Sequence, residues 1–257
     1  MGNQKIDQDR SENLTTDKFS ANEQRLITAD MLENLPEPVH RYMAYTGVVG
    51  KPWIDTVRLK QVGRFRQGLE RPWMPVTAEE FYTTDPPSLI WNARFKVAGL
   101  PLLRARDKYE SGQGHMFGKL AGLFTVFDMT GEKLDQATMI RYLSEIIWFP
   151  TAFLGENITW EEVDAHSAQV TFSDCGKSVS GRMIIDDEGR LTNFTAMRYR
   201  EIDGEFSLDP WSTPIIGYGE RADLNLPVRG QAVWNLPSGD LLYADLEVTE
   251  VEYNCPV

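Results

Sequence analysis

Residues 89–97, with the sequence LIWNARFKV, carry the clearest structural pattern in the chain. Apolar or aromatic side chains occupy every odd position from Leu89 to Val97, and polar side chains occupy three of the four even positions. A period of two places the apolar side chains on one face of a β-strand and the polar ones on the other. The stretch therefore predicts a strand with one buried face, and Trp91 lies on that face.

Further strands are predicted on both sides of this one. They cover residues 55–65, 76–83, 102–109, 115–124, 158–164, 168–174, 178–185, 190–202, 215–222, 228–236 and 241–253. Short turns rich in Gly, Asp and Pro separate them, which is typical of antiparallel pairing rather than of crossover helices. The predicted fold class is mainly β (α+β), with one large antiparallel sheet.

One segment in the middle of the chain predicts a helix. It extends from Glu132 to Phe149, with Thr130 as a candidate cap and Pro150 as its end. Its apolar stripe consists of Met139, Ile140, Leu143, Ile146 and Ile147, and the opposite face carries Leu134, Thr138, Arg141, Glu145 and Trp148. A face exposed to solvent would be plainly polar. We therefore expect a curved sheet or half-barrel with this helix on its concave side, facing an enclosed space.

The N-terminal part of the chain differs from the rest. Residues 1–18 are polar and aperiodic, which predicts a disordered tail. A capping box at Ser20–Glu23 and apolar residues at helical spacing then predict short helices over about residues 20–46, ending near Gly47. Residues 19–257 are expected to form a single β-rich domain that includes these helices.

Composition and charge exclude several classes of function. Hydrophobic residues make up 42% of the 257 positions, and the formal net charge is −12. Binding to nucleic acid or to an anionic membrane requires basic surfaces, so neither is an expected partner. No stretch approaches the roughly 18 apolar residues of a membrane span. The two cysteines, Cys175 and Cys255, and the lack of an apolar N-terminal stretch predict a cytoplasmic protein with free thiols.

Motifs for metal and cofactor chemistry are absent from the sequence. The three histidines, His40, His115 and His166, have no metal-ligand spacing, and no metal is expected. The sequence also lacks a nucleophile elbow, a P-loop and a dinucleotide-binding fingerprint, so no cofactor is predicted. The oligomeric state is left open.

The best candidate site combines one strand with the central helix. Arg104 and Arg106 share one face of the predicted strand, and Asp107 and Tyr109 share the other. On the helix, Arg141 and Glu145 are neighbours at i,i+4. Together with Trp148 and Trp91, these residues are candidates for ligand binding, and Glu145 and Asp107 are candidates for acid–base catalysis. A structural ion pair and ordinary aromatic core are the plainer interpretations.

Several strings resemble a bacterial family of unknown function over about residues 30–254. They are LPEPV (35–39), RY (41–42), TGVVGKP (46–52), RARDKY (104–109), KLAGL (119–123), RYLSEIIWFP (141–150), PWSTP (210–214) and AVWNLPSGD (232–240). The resemblance implies no established activity. More remotely, the order strands–helix–strands resembles the lipoprotein-carrier half-barrels, and this resemblance implies a hydrophobic, lipid-binding hollow.

Three functions remain open at this point. The first is binding of an apolar or amphipathic, lipid-like small molecule between the curved sheet and the helix. The second is an enzyme that uses Glu145 or Asp107 for proton transfer in the same hollow. The third is an interaction scaffold without a pocket. A closed apolar hollow with one arginine at its mouth would favour binding, a hollow with convergent carboxylates would favour catalysis, and a filled core would favour the scaffold.

Overall fold

One antiparallel sheet contains fourteen strands. The computed structural model describes residues 25–255. The strands are β1 (Thr56–Phe65), β2 (Met74–Thr84), β3 (Pro87–Val97), β4 (Leu100–Glu110), β5 (Gln113–Leu120), β6 (Phe124–Met129), β7 (Ile158–Asp164), β8 (Ser167–Asp174), β9 (Lys177–Ile185), β10 (Leu191–Ile202), β11 (Glu205–Ser212), β12 (Ile215–Arg221), β13 (Leu224–Leu236) and β14 (Gly239–Tyr253). Their order is β6-β5-β4-β3-β2-β1-β14-β13-β11-β10-β9-β8-β7, and β12 pairs with β13 outside that path.

The sheet curls around a central helix. The helices are α1 (Glu37–Thr46) and α2 (Glu132–Glu145). Helix α2 contacts β4 and β5 in one half of the sheet and β9 and β10 in the other. Six strands separate β4 from β10, so one helix reaches both only if the sheet curls around it. The fold is a curled half-barrel with α2 on its concave side, as predicted. We call the face turned towards α2 the inner face.

Beyond its exposed first turn, helix α2 has buried residues on both of its faces, although Arg141 and Glu145 are only half-buried. The predicted apolar stripe is buried, with Met139 and Leu143 fully enclosed. Leu134 and Thr138, from the face predicted to be different, are buried as well. Contact with β5 is close because Gly114 carries no side chain: a Cβ there would lie 2.3 Å from Thr138 Oγ1 and 2.8 Å from the Leu134 carbonyl oxygen. Sheet thus covers both faces of the helix.

The N-terminal prediction was only partly right. The described part of the first predicted helix is a 3-10 turn at Ala29–Leu32, because the residues before it pair with a loop. The Ile27 amide donates to the Lys51 carbonyl, and Leu26 bridges to Pro52. The second helix is α1, and Gly47 ends it in the left-handed conformation as expected. The predicted tail and the capping box at 20–23 lie outside the described residues.

Three further elements differ from prediction. Helix α2 ends at Glu145, and a 3-10 turn at Ile146–Trp148 replaces its expected last turn; Gly131, not Thr130, precedes the helix. The strand expected over 115–124 is two strands, β5 and β6, because Ala121 and Gly122 adopt positive φ values of 52° and 72° and form a hairpin turn. Strand β11, which contains Pro210, was not predicted.

No helix within residues 25–255 is both long enough and apolar enough to cross a bilayer.

Candidate functional site

A row of three side chains crosses the inner face of β2, β3 and β4. In the strand register Glu80 lies opposite Trp91, and Trp91 lies opposite Asp107. Glu80 is 0% exposed and Asp107 is 1% exposed. Side chains alternate between the two faces of a strand, and all three residues occupy positions that point to the apolar inner face. Two carboxylates therefore flank an indole beneath α2.

Arg141 of α2 lies over this row. Its guanidinium carbon is 4.7 Å from the centre of the Trp91 ring. The guanidinium donates to Asp107 Oδ2 at 2.8 Å, to Glu80 Oε1, and to Glu145 Oε1 at 2.9 Å one turn along the helix. The arrangement combines three charge-assisted hydrogen bonds with a cation–π contact. We call Arg141, Glu80, Asp107 and Glu145 the buried charge cluster.

The cluster carries more acid than base. Three carboxylates surround one guanidinium, and Glu80 Oε2 and Asp107 Oδ1 are buried without a hydrogen-bond partner in the described part of the chain. Burial raises the pKa of Glu80 well above its usual range, and the charge of Glu145 raises it further. Burial also raises the pKa of Glu145, against the lowering effect of Arg141. The cluster therefore holds a proton more readily than exposed carboxylates do.

Two neutral residues complete the surroundings of the cluster. The Tyr82 hydroxyl donates to Glu145 Oε2 at 3.1 Å, and burial raises the pKa of Tyr82, which keeps it a donor. Trp91 donates its indole N–H to Gln61 Oε1 at 3.2 Å. These bonds fix the orientation of the Glu145 carboxylate and the Trp91 ring.

The structure brings together Arg141, Glu145, Asp107 and Trp91 from the predicted site. Tyr109 shares the inner face, but its hydroxyl donates to Asp174 of β8. Arg104 and Arg106 are exposed on the opposite, outer face of the sheet and cannot reach α2, because side chains alternate between faces. Trp148 is separated from the cluster as well: its indole donates to the Pro227 carbonyl at 2.9 Å. The α-helix ends before Trp148, and the 3-10 turn at 146–148 directs the Trp148 side chain away from the helix face that carries Arg141.

A continuous aromatic wall extends from the cluster along the inner face. Trp91 contacts Phe95, Phe95 contacts Phe65, Phe65 contacts Tyr243, and Tyr243 stacks on Trp234, with ring centres 5.4–5.9 Å apart. Trp211 follows at 6.5 Å. We call these six residues the aromatic wall. Phe65 and Tyr243 are only half-buried, so the wall is open to solvent in its middle.

One arginine lies at the open part of the aromatic wall. Arg198 of β10 has its guanidinium carbon 4.7 Å from the Trp211 ring centre, and it donates to the Ala137 carbonyl and the Tyr243 hydroxyl. It is half-buried, and no carboxylate among residues 25–255 forms an ion pair with it. Its neighbour Arg200 pairs with Asp209 at 2.9 Å. Arg198 is therefore a cation without a counter-charge at the edge of an apolar surface.

Glu80 and Arg198 were not predicted as site residues, although the sequence contains a signal for both. Glu80 falls in phase with Val76, Ala78 and Tyr82, so it interrupts an apolar strand face with a charge. Arg198 is likewise in phase with Phe194. Each is a charged residue at a position where the alternation of the strand otherwise places apolar residues, and this pattern could have identified both.

Within the described chain, no group of three or more His, Cys, Asp or Glu side chains has a geometry that could hold a metal ion. The carboxylates of the cluster are directed at Arg141 and leave no such ligand set.

These features define a curled antiparallel half-barrel with one internal helix, a buried charge cluster and an aromatic inner wall. The chain belongs to a family of unknown function, DUF6544, whose model matches residues 25–246. The sequence strings predicted a family of unknown function, and this match confirms the prediction. No curated protein matches the chain.

Three solved structures resemble the fold at low sequence identity. A DUF1329 family protein from Desulfovibrio piger is 9% identical, with 79% of this chain and 88% of that chain covered and a TM-score of 0.48. A putative outer membrane lipoprotein-sorting protein domain from Vibrio parahaemolyticus is 8% identical, with 88% and 94% covered and a TM-score of 0.45. A LolA superfamily protein from Nitrosomonas europaea is 7% identical, with 90% and 96% covered and a TM-score of 0.44. No function is transferred at this level of similarity.

Proposed function

We propose that the protein binds an amphipathic, lipid-like small molecule between the curled sheet and α2. The apolar part of the ligand lies along the aromatic wall, and an anionic head group, a carboxylate or phosphate, pairs with Arg198. Arg198 carries this proposal because it is a half-buried cation without an ion pair among the described residues, placed at the edge of a partly open aromatic surface.

The chemistry of the wall supports an apolar partner. Large aromatic side chains supply much apolar contact area, and ligand sites are typically apolar with a few placed polar groups. Phe65 and Tyr243, in the middle of the wall, are only half-buried. The Tyr243 hydroxyl accepts hydrogen bonds from Trp211 at 3.0 Å and from Arg198 at 3.3 Å, which holds the arginine against the wall. An anion at Arg198 would replace water around a charge that is already oriented.

Native mass spectrometry of the purified protein first shows whether it retains a ligand. Tryptophan fluorescence then measures binding of decanoate and of its uncharged analogue 1-decanol. A hydrogen bond to a charged group contributes about 1.5–3 kcal/mol, so Arg198→Gln should weaken decanoate binding roughly 10- to 100-fold. The affinity for decanol should hardly change. The control is Arg182→Gln, an exposed arginine on β9. Equal affinity of wild type and Arg198→Gln for decanoate would exclude the proposed head-group site.

A second candidate function is acid–base catalysis in the buried charge cluster. Burial raises the pKa of Glu145, and its side chain is 15% exposed, so a protonated Glu145 could reach a substrate. Asp107 is the weaker candidate because its side chain is 2% exposed and held by Arg141. Incubating the protein with any ligand that native mass spectrometry identifies distinguishes the two functions. Binding returns the ligand unchanged, whereas catalysis changes its mass or structure in wild type and not in Glu145→Gln.

A further inference from the structure

The loops at one end of strands β1 to β6 carry exposed apolar side chains. Leu100 in the β3–β4 hairpin is 59% exposed, and in the β5–β6 hairpin Leu123 and Phe124 are 79% and 67% exposed. Leu69, in the loop between β1 and β2, is 52% exposed. Isolated exposed apolar residues are ordinary, but four on neighbouring loops form a patch. We call Leu69, Leu100, Leu123 and Phe124 the apolar tips.

Strand register places these loops side by side. Val97 pairs with Leu100 and Leu120 pairs with Phe124, so both hairpins turn at the same end of their strands. The Ala121 amide donates to the Leu102 carbonyl at 2.7 Å, which joins the two hairpins directly. Phe65 pairs with Met74 at that same edge, where the loop containing Leu69 begins. Phe65 also belongs to the aromatic wall, so the apolar tips lie beside its open part.

Cations occupy the outer face next to the apolar tips. Arg94 lies opposite Arg104, and Arg104 lies opposite Lys119, so three like charges form one row across β3, β4 and β5. Lys96 and Arg106 are exposed on the same face. None of these five residues, which we call the basic face, forms an ion pair with a described carboxylate. Nearby, Glu79 pairs with Arg58, and Asp128 contacts His115.

This arrangement is unfavourable for the isolated protein. Like charges directly opposite each other in a sheet are destabilising, and no carboxylate in the described chain forms an ion pair with this row. The row borders a groove of about 750 Å³ on the outer face, lined also by Arg106, Phe117 and Glu79, and Glu79 is paired with Arg58. The net charge of −12 disfavours an anionic partner for the chain as a whole, so the attraction must come from the local row of cations on β3, β4 and β5.

We propose that the protein docks on an anionic phospholipid bilayer through the apolar tips and the basic face. The apolar tips enter the interface between head groups and acyl chains, and the basic face lies against lipid phosphates. Exposed apolar side chains combined with Lys and Arg are the features that bind proteins to anionic membrane surfaces. Docking at this edge would bring the open part of the aromatic wall next to the bilayer.

The experiment is vesicle co-sedimentation of the full-length protein. Arg198→Gln, which removes the head-group site of the proposed function, should bind the vesicles like wild type, and this separates membrane docking from binding of a single lipid. One set of vesicles is phosphatidylcholine, and the other contains phosphatidylcholine and phosphatidylglycerol in equal parts. Wild type should bind the mixed vesicles and not the neutral ones. Each cation near an anionic surface contributes roughly fivefold to binding, so Arg94→Gln/Arg104→Gln/Lys119→Gln should weaken binding on the order of 100-fold.

A second variant tests the apolar tips. Leu123→Ser/Phe124→Ser should lose binding to the mixed vesicles, while Val163→Ser, an exposed apolar position on the distant strand β7, should bind like wild type. Thermal unfolding confirms that each variant is folded. Equal binding to both vesicle types, or no binding, would overturn the proposal. It would equally be overturned if Leu123→Ser/Phe124→Ser abolished a concentration-dependent dimer instead, because the apolar tips would then bind a second copy of the chain.

Discussion

At the scale of single residues, Arg141 is the centre of the inner polar network. Its guanidinium joins β2, β4 and α2 through Glu80, Asp107 and Glu145. Removing ions from water is costly, and their attraction compensates only when geometry and hydrogen bonding are good. Removing the one cation should therefore be far more harmful than losing a surface ion pair.

We expect Arg141→Met to lower the free energy of unfolding by about 3–5 kcal/mol, because it leaves buried carboxylates without their partner. Urea denaturation measures the loss. A matched control is Arg58→Met on the outer face, where the arginine pairs with Glu79 and Glu252 and its side chain is 36% exposed. There we expect a much smaller loss, because water screens an exposed ion pair. Similar losses in both variants would mean that burial does not strengthen the dependence on the cation.

Glu80 should make stability depend on pH. Burial raises its pKa in the folded protein, so the folded state holds a proton that the unfolded state releases near its ordinary pKa of about 4.3. The free energy of unfolding should therefore fall as pH rises above that value and through the raised pKa. One such proton gives a slope of about 1.4 kcal/mol per pH unit.

Glu80→Gln should flatten this slope, and urea denaturation between about pH 5 and about pH 8 measures it. Its control is Glu79→Gln, the neighbouring residue on the outer face, which should keep the wild-type slope. A slope that persists in Glu80→Gln would place the proton elsewhere in the cluster.

The residue-level site could be predicted from sequence only in part. The i,i+4 spacing joined Arg141 to Glu145. Strand parity separated Asp107 from Arg104 and Arg106, but it did not show which face is the inner one, and all three were assigned to the site. Strand parity marks Glu80 and Arg198 as charges on a buried face, but their position beneath α2 requires knowledge of which strands are neighbours, because β2 and β10 reach α2 only through the curl of the sheet. Pairing between distant strands depends on register, which local patterns do not contain.

At the scale of elements, the close packing of α2 against β5 depends on a glycine, which has no side chain. Gly114 of β5 lies against Leu134 and Thr138 of the helix. The Gly114 amide also donates to Asp135 Oδ1 at 2.8 Å, and Asp135 pairs with Lys177 of β9. One short contact thus connects the helix to both halves of the sheet.

We expect Gly114→Ala to destabilise the protein by about 1–3 kcal/mol, because the added methyl group must displace backbone and a buried side chain. Differential scanning calorimetry or urea denaturation measures the loss. Gly217→Ala on β12 is the control, since the nearest atom to its Cβ would be 3.8 Å away. If the two variants were equally stable, the helix would have room to move away from β5, and close packing would not hold it.

Elements with a strong internal period were predicted well, and those set by turns or tertiary contacts were not. Strand β3 alternates over its whole length, and the apolar stripe of α2 is buried as expected. Strand β6 escaped prediction because its separation from β5 depends on the turn at Ala121–Gly122. Strand β11 contains Pro210, which lacks an amide proton; β13 pairs there only with the following residues, Trp211 and Ser212.

At the scale of the whole molecule, the sheet consists of two meanders, each built from strands that are consecutive in the chain, and they are joined in the middle. Strands β1–β6 follow one another in space as in sequence, and so do β7–β11. Strand β14 joins them by pairing with β1 on one side and with β13 on the other. Helix α2 connects β6 to β7, the two outermost strands of the path, and so links the edges of the half-barrel across its concave side.

The pairing of β1 with β14 determines how the chain can reach this structure. Val57 pairs with Tyr253, so the contact that unites the two meanders joins nearly opposite ends of the described chain. Bringing such distant residues together has an entropic cost before any contact compensates, and chains rich in non-local pairings fold slowly, in milliseconds to seconds. Each meander can form before that closure. Until β14 arrives, β1 is an unpaired edge that another chain could occupy, so newly made protein is most prone to aggregate at this late step.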